Sequence, residues 1–149
     1  MSACYTLAMN AILLRFALAI WAGGGLAVLL GTRSIFRAAE TRSQGGLFSG
    51  AVLRSFFELR WAAVALTAAA WAFSRTPALW WASAAAALTI VQAPLDARIR
   101  ALREQLGGST EGLDASDPRR KRWGALHGGS VLLLLAQIAC AAAGLVLAA

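Results

Sequence analysis

Charged residues and apolar runs alternate along this chain on the scale of a membrane span. Phe16 to Thr32 is free of charge for seventeen residues, Trp61 to Ser74 for fourteen, Thr76 to Leu95 for twenty and Trp123 to Ala149 for twenty-seven. A hydrocarbon core about 30 Å thick takes roughly 20 helical residues, within a range of about 17–25. The first, third and fourth runs reach that length alone. The second, extended back through Phe56, Phe57 and Leu59, reaches it only with Glu58 and Arg60 at the headgroup level on snorkelling stems. The runs are Ala-rich and continuous, without the period-two alternation of a lipid-facing barrel strand. The pattern therefore predicts an all-α fold: an integral membrane four-helix bundle of two long helical hairpins, a single domain over 1–149.

Local punctuation sets the expected boundaries. Thr76-Pro77 and Asp117-Pro118 each place a capping side chain before a proline at the first helical position. Gly45-Gly46 and Gly107-Gly108 stand where the first and third helices should stop, because glycine tolerates a left-handed C-terminal turn. The helices are expected at about 9–42, 47–74, 77–106 and 118–148, with Pro94 kinking the third. Residues 107–116 form a small, polar loop expected to be mobile. Met9 is an alternative start, and the first 32 residues lack the leading positive charge and cleavage site of a secretory signal.

Composition agrees with the membrane reading. Of 149 residues, 59% are hydrophobic and 14% charged, against about 45–50% and about 25% in soluble domains. That excess argues against a soluble enzyme domain and a disordered tail alike, and two cysteines do not make a disulfide scaffold. The net charge of +7 comes almost wholly from arginine at the ends of apolar runs, with no interleaved aromatic groove for nucleic acid. Arg33, Arg37, Arg42, Arg54, Arg60, Arg98, Arg100, Arg103, Arg119, Arg120, Lys121 and Arg122 lie between the first and second or third and fourth spans. Cytoplasmic loops carry the Lys and Arg excess, so a multi-pass protein of the cell membrane with both termini outside is expected. Arg15, near the outer surface, is expected to snorkel.

Two kinds of residue stand out within the spans. Ala19, Gly23, Ala27 and Gly31 recur every four residues in the first helix, as do Gly124, Gly128, Ala136, Cys140, Gly144 and Ala148 in the last. Small residues at that spacing let helix backbones approach closely, so these stripes are expected to pair, and Gly23→Leu or Gly144→Leu to weaken the fold. Polar residues at membrane depth are the other kind. His127, Ser130 and Gln137 of the fourth span, with Gln92 and Thr89 at comparable depth in the third, outline a polar pocket near the inner surface. Interhelical hydrogen bonding that fixes packing explains the same residues. One histidine and one membrane cysteine do not make a metal site, no cofactor is implied, and no Ser–His–carboxylate set shares a depth. At the third helix's amphipathic end Ile99, Leu102 and Leu106 are expected to share one face, and Asp96, Arg100 and Glu104 to form a spaced pair series on another.

The tract Trp21-Ala22-Gly23-Gly24, then Ile35-Phe36-Arg37 and Gly45-Gly46, resembles the first hairpin of the transmembrane protein 205-like family. Ala93-Pro94, Asp117-Pro118 and the Leu126-His127-x-x-Ser130 element resemble that family's second half, so the resemblance covers nearly the whole chain. Thr32-Arg33-Ser34 departs from it where many members carry a proline. The resemblance implies a four-helix membrane domain and no established activity. Two functional classes follow from the residues: an interaction or accessory membrane subunit, as a homo-oligomer or with another membrane protein, and a transporter- or channel-like module built around His127. Neither is an enzyme. The partner common to both is the lipid bilayer.

Overall fold

A computed structural model describes residues 2–73, 75–107, 113–114 and 116–148, with the backbone alone at 2–8, 10 and 42. The expected mobile loop falls largely on 108–112 and 115, outside the described residues. The chain is all-helical: α1 (Ser2–Ala19), a π turn (Ile20–Gly24) and α2 (Gly25–Ala38) run on as one helix, followed by α3 (Arg42–Trp71), α4 (Pro77–Gln105) and α5 (Pro118–Leu147). These four helices form the bundle, and its most extensive packing is between α4 and α5. Ala11–Ala38, Pro77–Gln105 and Pro118–Leu147 are long and apolar enough to cross a membrane; α3 is not among them, because charges interrupt it.

Several boundaries stand where the punctuation put them. Gly107 has φ +68°, the left-handed conformation that lets the chain leave α4. Asp117 caps α5 by accepting from the Arg119 amide at 2.8 Å and from its guanidinium at 2.8 and 3.2 Å. Those bonds, the side-chain one foremost, hold the Asp117 carboxyl below the usual carboxylate range. Thr76 precedes Pro77 but makes no side-chain cap.

The first turn differs from expectation. The helix ends at Ala38 and α3 starts at Arg42, so Gly45-Gly46 sits inside α3. Thr41 is the reason: its hydroxyl accepts from the Gln44 amide at 3.1 Å, and the Gln44 side chain accepts from the Glu40 amide at 3.1 Å. This close relative of a capping box nucleates the helix four residues before the glycines. Those glycines serve packing instead. A Cβ on Gly45 would stand 2.7 Å from the Phe36 ring, and one on Gly50 2.9 Å from the Arg103 guanidinium.

The expected small-residue pairing is only partly present. Gly144 is buried, where a Cβ would meet Leu18 at 2.8 Å and Trp81 at 3.1 Å. Gly23, Gly31 and Gly128 have open space above them, and Ala19 and Ala27 are exposed. A four-residue stripe drifts about 40° per step on a helix of 3.6 residues per turn, so Gly128 and Gly144 lie about 160° apart. In the first helix the π turn adds a residue to the winding and brings Gly24 and Gly25 inward. A Cβ there would meet Phe56 or Ile138 at 2.6 Å.

Apolar and polar side chains are distributed the wrong way round for water. Leu132, Val146, Phe16, Leu30, Ile90 and Val91 point outward, with Val146 77% exposed. The interior holds alanines, a few large apolar side chains such as Leu18, Trp21 and Leu79, and Thr89, Gln92, Asp96, Gln137 and Arg60. Trp71 closes the turn before Pro77: its indole donates to Ser83 Oγ at 2.8 Å and packs edge-on against Trp80 at 5.1 Å. At that same end Arg15 donates to the Ala148 carbonyl at 2.6 and 3.1 Å, so it caps α5 rather than snorkelling alone.

Candidate functional site

Five of the buried polar residues, Arg60, Thr89, Gln92, Asp96 and Gln137, form one hydrogen-bonded cluster that every bundle helix enters. Thr67 bonds to the Ala63 carbonyl of its own helix, and Ser49 stands apart. Arg60 of α3 is the centre of the cluster. It is 2% exposed, inside the bundle and not on its surface. Its Nη1 donates to Gln92 Oε1 at 2.7 Å and Gln137 Oε1 at 3.1 Å, and its Nη2 reaches Asp96 Oδ2 at 3.2 Å. The guanidinium lies 4.4 Å from the Phe57 ring centroid and 5.3 Å from that of Phe56, one turn earlier on the same helix.

Asp96, 5% exposed, faces inward rather than joining Arg100 and Glu104 on the outer face. Its other oxygen accepts from Ser130 Oγ at 2.8 Å. Gln92 lies one turn earlier on α4. Its amide nitrogen donates to Ser130 Oγ at 2.8 Å, and its oxygen accepts from the Gln137 amide at 2.6 Å. Thr89, a further turn along, accepts from the Trp21 indole at 3.0 Å and lies 3.2 Å from Gln137 Oε1. Trp21 comes from the π turn, the type of local widening that often re-aims a side chain at a functional position.

Burying a charge in a low-dielectric interior costs several kcal/mol per ion unless it is paired and its hydrogen bonds are made. Here the pair is made, and three neutral side chains, Gln92, Gln137 and Ser130, occupy most of its remaining bonding capacity. Arg60 Nε is the exception, a buried donor with no partner among the described residues. The cluster therefore ties α3, α4, α5 and the first helix at one level by bonds that need mutual orientation.

Trp81 and Gly144 mark a common level, so helix rise gives the cluster's depth. At about 1.5 Å per residue, Gln137 lies about 10 Å and Ser130 about 21 Å from that level along α5. Thr89, Gln92 and Asp96 lie about 12, 16 and 22 Å from it along α4. A hydrocarbon core about 30 Å thick starting there would have its midplane through Gln92 and Arg60.

Of the four residues expected to line a polar site, Ser130, Gln137 and Gln92 come together and His127 does not. Ser130 and Gln137, seven residues apart, share a helix face. His127 is exposed and stacks on Trp123, with ring centroids 4.9 Å apart and planes at 6°. The residues that sequence reasoning missed are Arg60, Asp96 and Trp21. The usable signal was the stripe Thr89, Gln92 and Asp96, spaced three and four apart on a single face of α4.

Among the described residues no three His, Cys, Asp or Glu side chains gather as a metal site. Ser130 Oγ is engaged with Asp96 and Gln92, and no imidazole adjoins it to take up its proton. Cys140 is a free thiol packed against the core. Comparisons with family models, curated proteins and solved structures return no match to this chain.

Proposed function

We propose that this chain is a small multi-pass membrane protein that acts through its outer surface, as an interaction or accessory subunit. The observation that carries the reading is the inverted distribution of side chains. Arg60, Asp96, Gln92, Gln137 and Thr89 are spent on one another inside. Many Leu, Ile, Val and Phe side chains lie outside, with only the Arg54–Glu58 pair of α3 charged among them along the span. A bilayer supplies an apolar solvent for such a surface and no drive to bury it, which leaves polar bonds and close packing to hold the helices. The Arg60–Asp96 cluster is then the lock that fixes the arrangement of four helices. The family resemblance of the sequence, to a four-helix membrane domain without established activity, agrees with this reading.

In the cell membrane, α3 crosses in the company of the other three helices, its charge neutralised by Asp96. Eleven of the fourteen cations lie in the segments at the end opposite the Trp71–Pro77 turn, now that Arg60 belongs to the interior. By the positive-inside rule that end faces the cytoplasm and both termini face outward.

A transporter-like reading rests on a different observation. The hydrogen-bonded ladder from Gln137 to Asp96 runs along the membrane normal, and Arg60 Nε is left over within it. Its centre would be Asp96 and Arg60 instead of His127. The two readings separate in one experiment with two arms. Photo-crosslinkers at Leu30, Ile90 and Leu132 in the native membrane should yield one discrete protein adduct, and purified protein in vesicles should give no proton or ion flux. Lipid adducts alone, together with flux abolished by Asp96→Asn, would overturn the accessory reading in favour of transport.

A further inference from the structure

Trp80, Trp81 and Trp123 set two levels on the bundle, whereas Trp21 is buried and Trp61 is exposed beside Arg60 between them. Trp80 and Trp81 are exposed near the start of α4, and Trp81 touches the Gly144 position of α5. Trp123 lies 21 residues before Gly144 on α5. At about 1.5 Å per residue the two tryptophan levels are about 31 Å apart, the thickness of a hydrocarbon core. Tryptophan concentrates at both membrane interfaces, so Trp123 marks the second one.

Just beyond that level the last turn of α4 and the first turn of α5 enclose a groove of about 380 Å³, lined by Leu102, Gln105, Leu106, Pro118, Arg119 and Arg122. Its chemistry is divided as a phospholipid is divided. Buried Leu102 and half-buried Leu106 supply its apolar side, and exposed Pro118, the two guanidiniums and the Gln105 amide line the rest. Arg119 is held in place by Asp117 at 2.8 Å, while Arg122 is exposed and has no protein partner among the described residues. The surrounding charge points the same way. Apart from the Arg60–Asp96 pair and the exposed Arg54–Glu58 pair of α3, the segments at this end carry ten cations against five carboxylates. An anion at headgroup depth is favoured there, and a choline headgroup is disfavoured.

We propose that this groove binds the phosphate of an anionic phospholipid from the surrounding leaflet. Arg122 is its main ligand, Arg119 and Gln105 complete the rim, and the glycerol lies on Leu102, the lining residue at the depth of Trp123. The inference rests on the bilayer reading above.

The test is lipid retention by the full chain, purified from vesicles of phosphatidylcholine with one-fifth phosphatidylglycerol and measured by native mass spectrometry. The wild type should keep one phosphatidylglycerol per chain, at least five-fold over phosphatidylcholine. Arg122→Gln should reduce that retention at least five-fold, and Gln105→Trp, which fills the groove, should reduce it comparably. Arg75→Gln at the other end should leave it unchanged. Tryptophan fluorescence on unfolding confirms that each variant is folded. Inorganic phosphate at millimolar concentration should not displace the lipid; displacement would assign the groove to free phosphate and overturn the lipid assignment. Equal retention of both lipids, or no effect of Arg122→Gln and Gln105→Trp, would overturn the groove as a site. A chain released from membranes by alkaline carbonate would overturn the bilayer reading and this inference together, whereas a retained chain without phosphatidylglycerol preference overturns the inference alone.

Discussion

Removing the charge of Asp96 leaves Arg60 buried without its counter-ion, and that perturbation separates a buried pair from two snorkelling residues. Asp96→Asn keeps size and shape, so the bond from Ser130 at 2.8 Å has a carbonyl to accept it. What it removes is the carboxylate 3.2 Å from Arg60 Nη2. Breaking one partner of a buried pair costs about 3–5 kcal/mol, because the remaining charge is uncompensated. At about 2–4 °C per kcal/mol for a chain of this size, the midpoint should fall by about 6–20 °C. Replacing both partners, as in Arg60→Met with Asp96→Leu, leaves Gln92 and Gln137 still bonded to each other at 2.6 Å and should cost less than either charge-orphaning single change. The resulting coupling should exceed the average of about 0.6 kcal/mol for hydrogen-bonded pairs inside membranes. Reversible unfolding in mixed micelles, followed by tryptophan fluorescence, measures Asp96→Asn and the four corners of the cycle: wild type, Arg60→Met, Asp96→Leu and the double variant. A single variant within a degree of wild type, or a double variant as unstable as the sum of the singles, would refute the reasoning.

The glycine positions give a sharper contrast. Gly144→Leu should destabilise by about 1–3 kcal/mol through overpacking against Leu18 and Trp81, while Gly23→Leu and Gly128→Leu, with open space above them, should leave unfolding unchanged. Trp21→Phe removes the donor to Thr89 and should cost about 1 kcal/mol, with loss of the buried component of tryptophan emission. Asp117→Ala should speed amide exchange in the first turn of α5. Because the Asp117 carboxyl is held below its ordinary range in the folded chain, its capping contribution is present above the unfolded carboxylate range and is lost as pH falls through the lower folded value. Wild-type exchange in that turn should therefore stay constant near neutral pH and rise only in strong acid.

Much of the architecture was legible because it follows from local physics. Uninterrupted apolar length located three spans, and Asp117-Pro118 and Gly107 located two helix ends. Thr41-x-x-Gln44 was an equally local signal, hidden by the more conspicuous Gly45-Gly46 that follows it directly. The identity of the polar lock was not local. A cation two residues from a charge-interrupted boundary reads as snorkelling, and only the approach of Asp96, 36 positions away, makes burial of Arg60 tolerable. Ser130, Gln137 and Gln92 were legible because helical periodicity places polar residues on inward faces. His127 was misplaced by the same logic, since Trp123 one turn away draws the ring outward to stack. The π turn carries no sequence signature of its own, so the outward rotation of Gly23 and the inward position of Gly24 appear only in three dimensions.

The measurement that bears most directly on the account is the environment of the Arg60 guanidinium in a lipid bilayer, read by solid-state nuclear magnetic resonance. With arginine labelled in nitrogen-15 and aspartate in carbon-13, Arg60→Lys and Asp96→Asn identify the resonances. A dipolar contact between Arg60 Nη and the Asp96 carboxyl carbon is predicted, matching the 3.2 Å nitrogen–oxygen separation, without coupling to lipid phosphorus. Coupling of the Arg60 guanidinium to lipid phosphorus, with no contact to Asp96, would contradict the account.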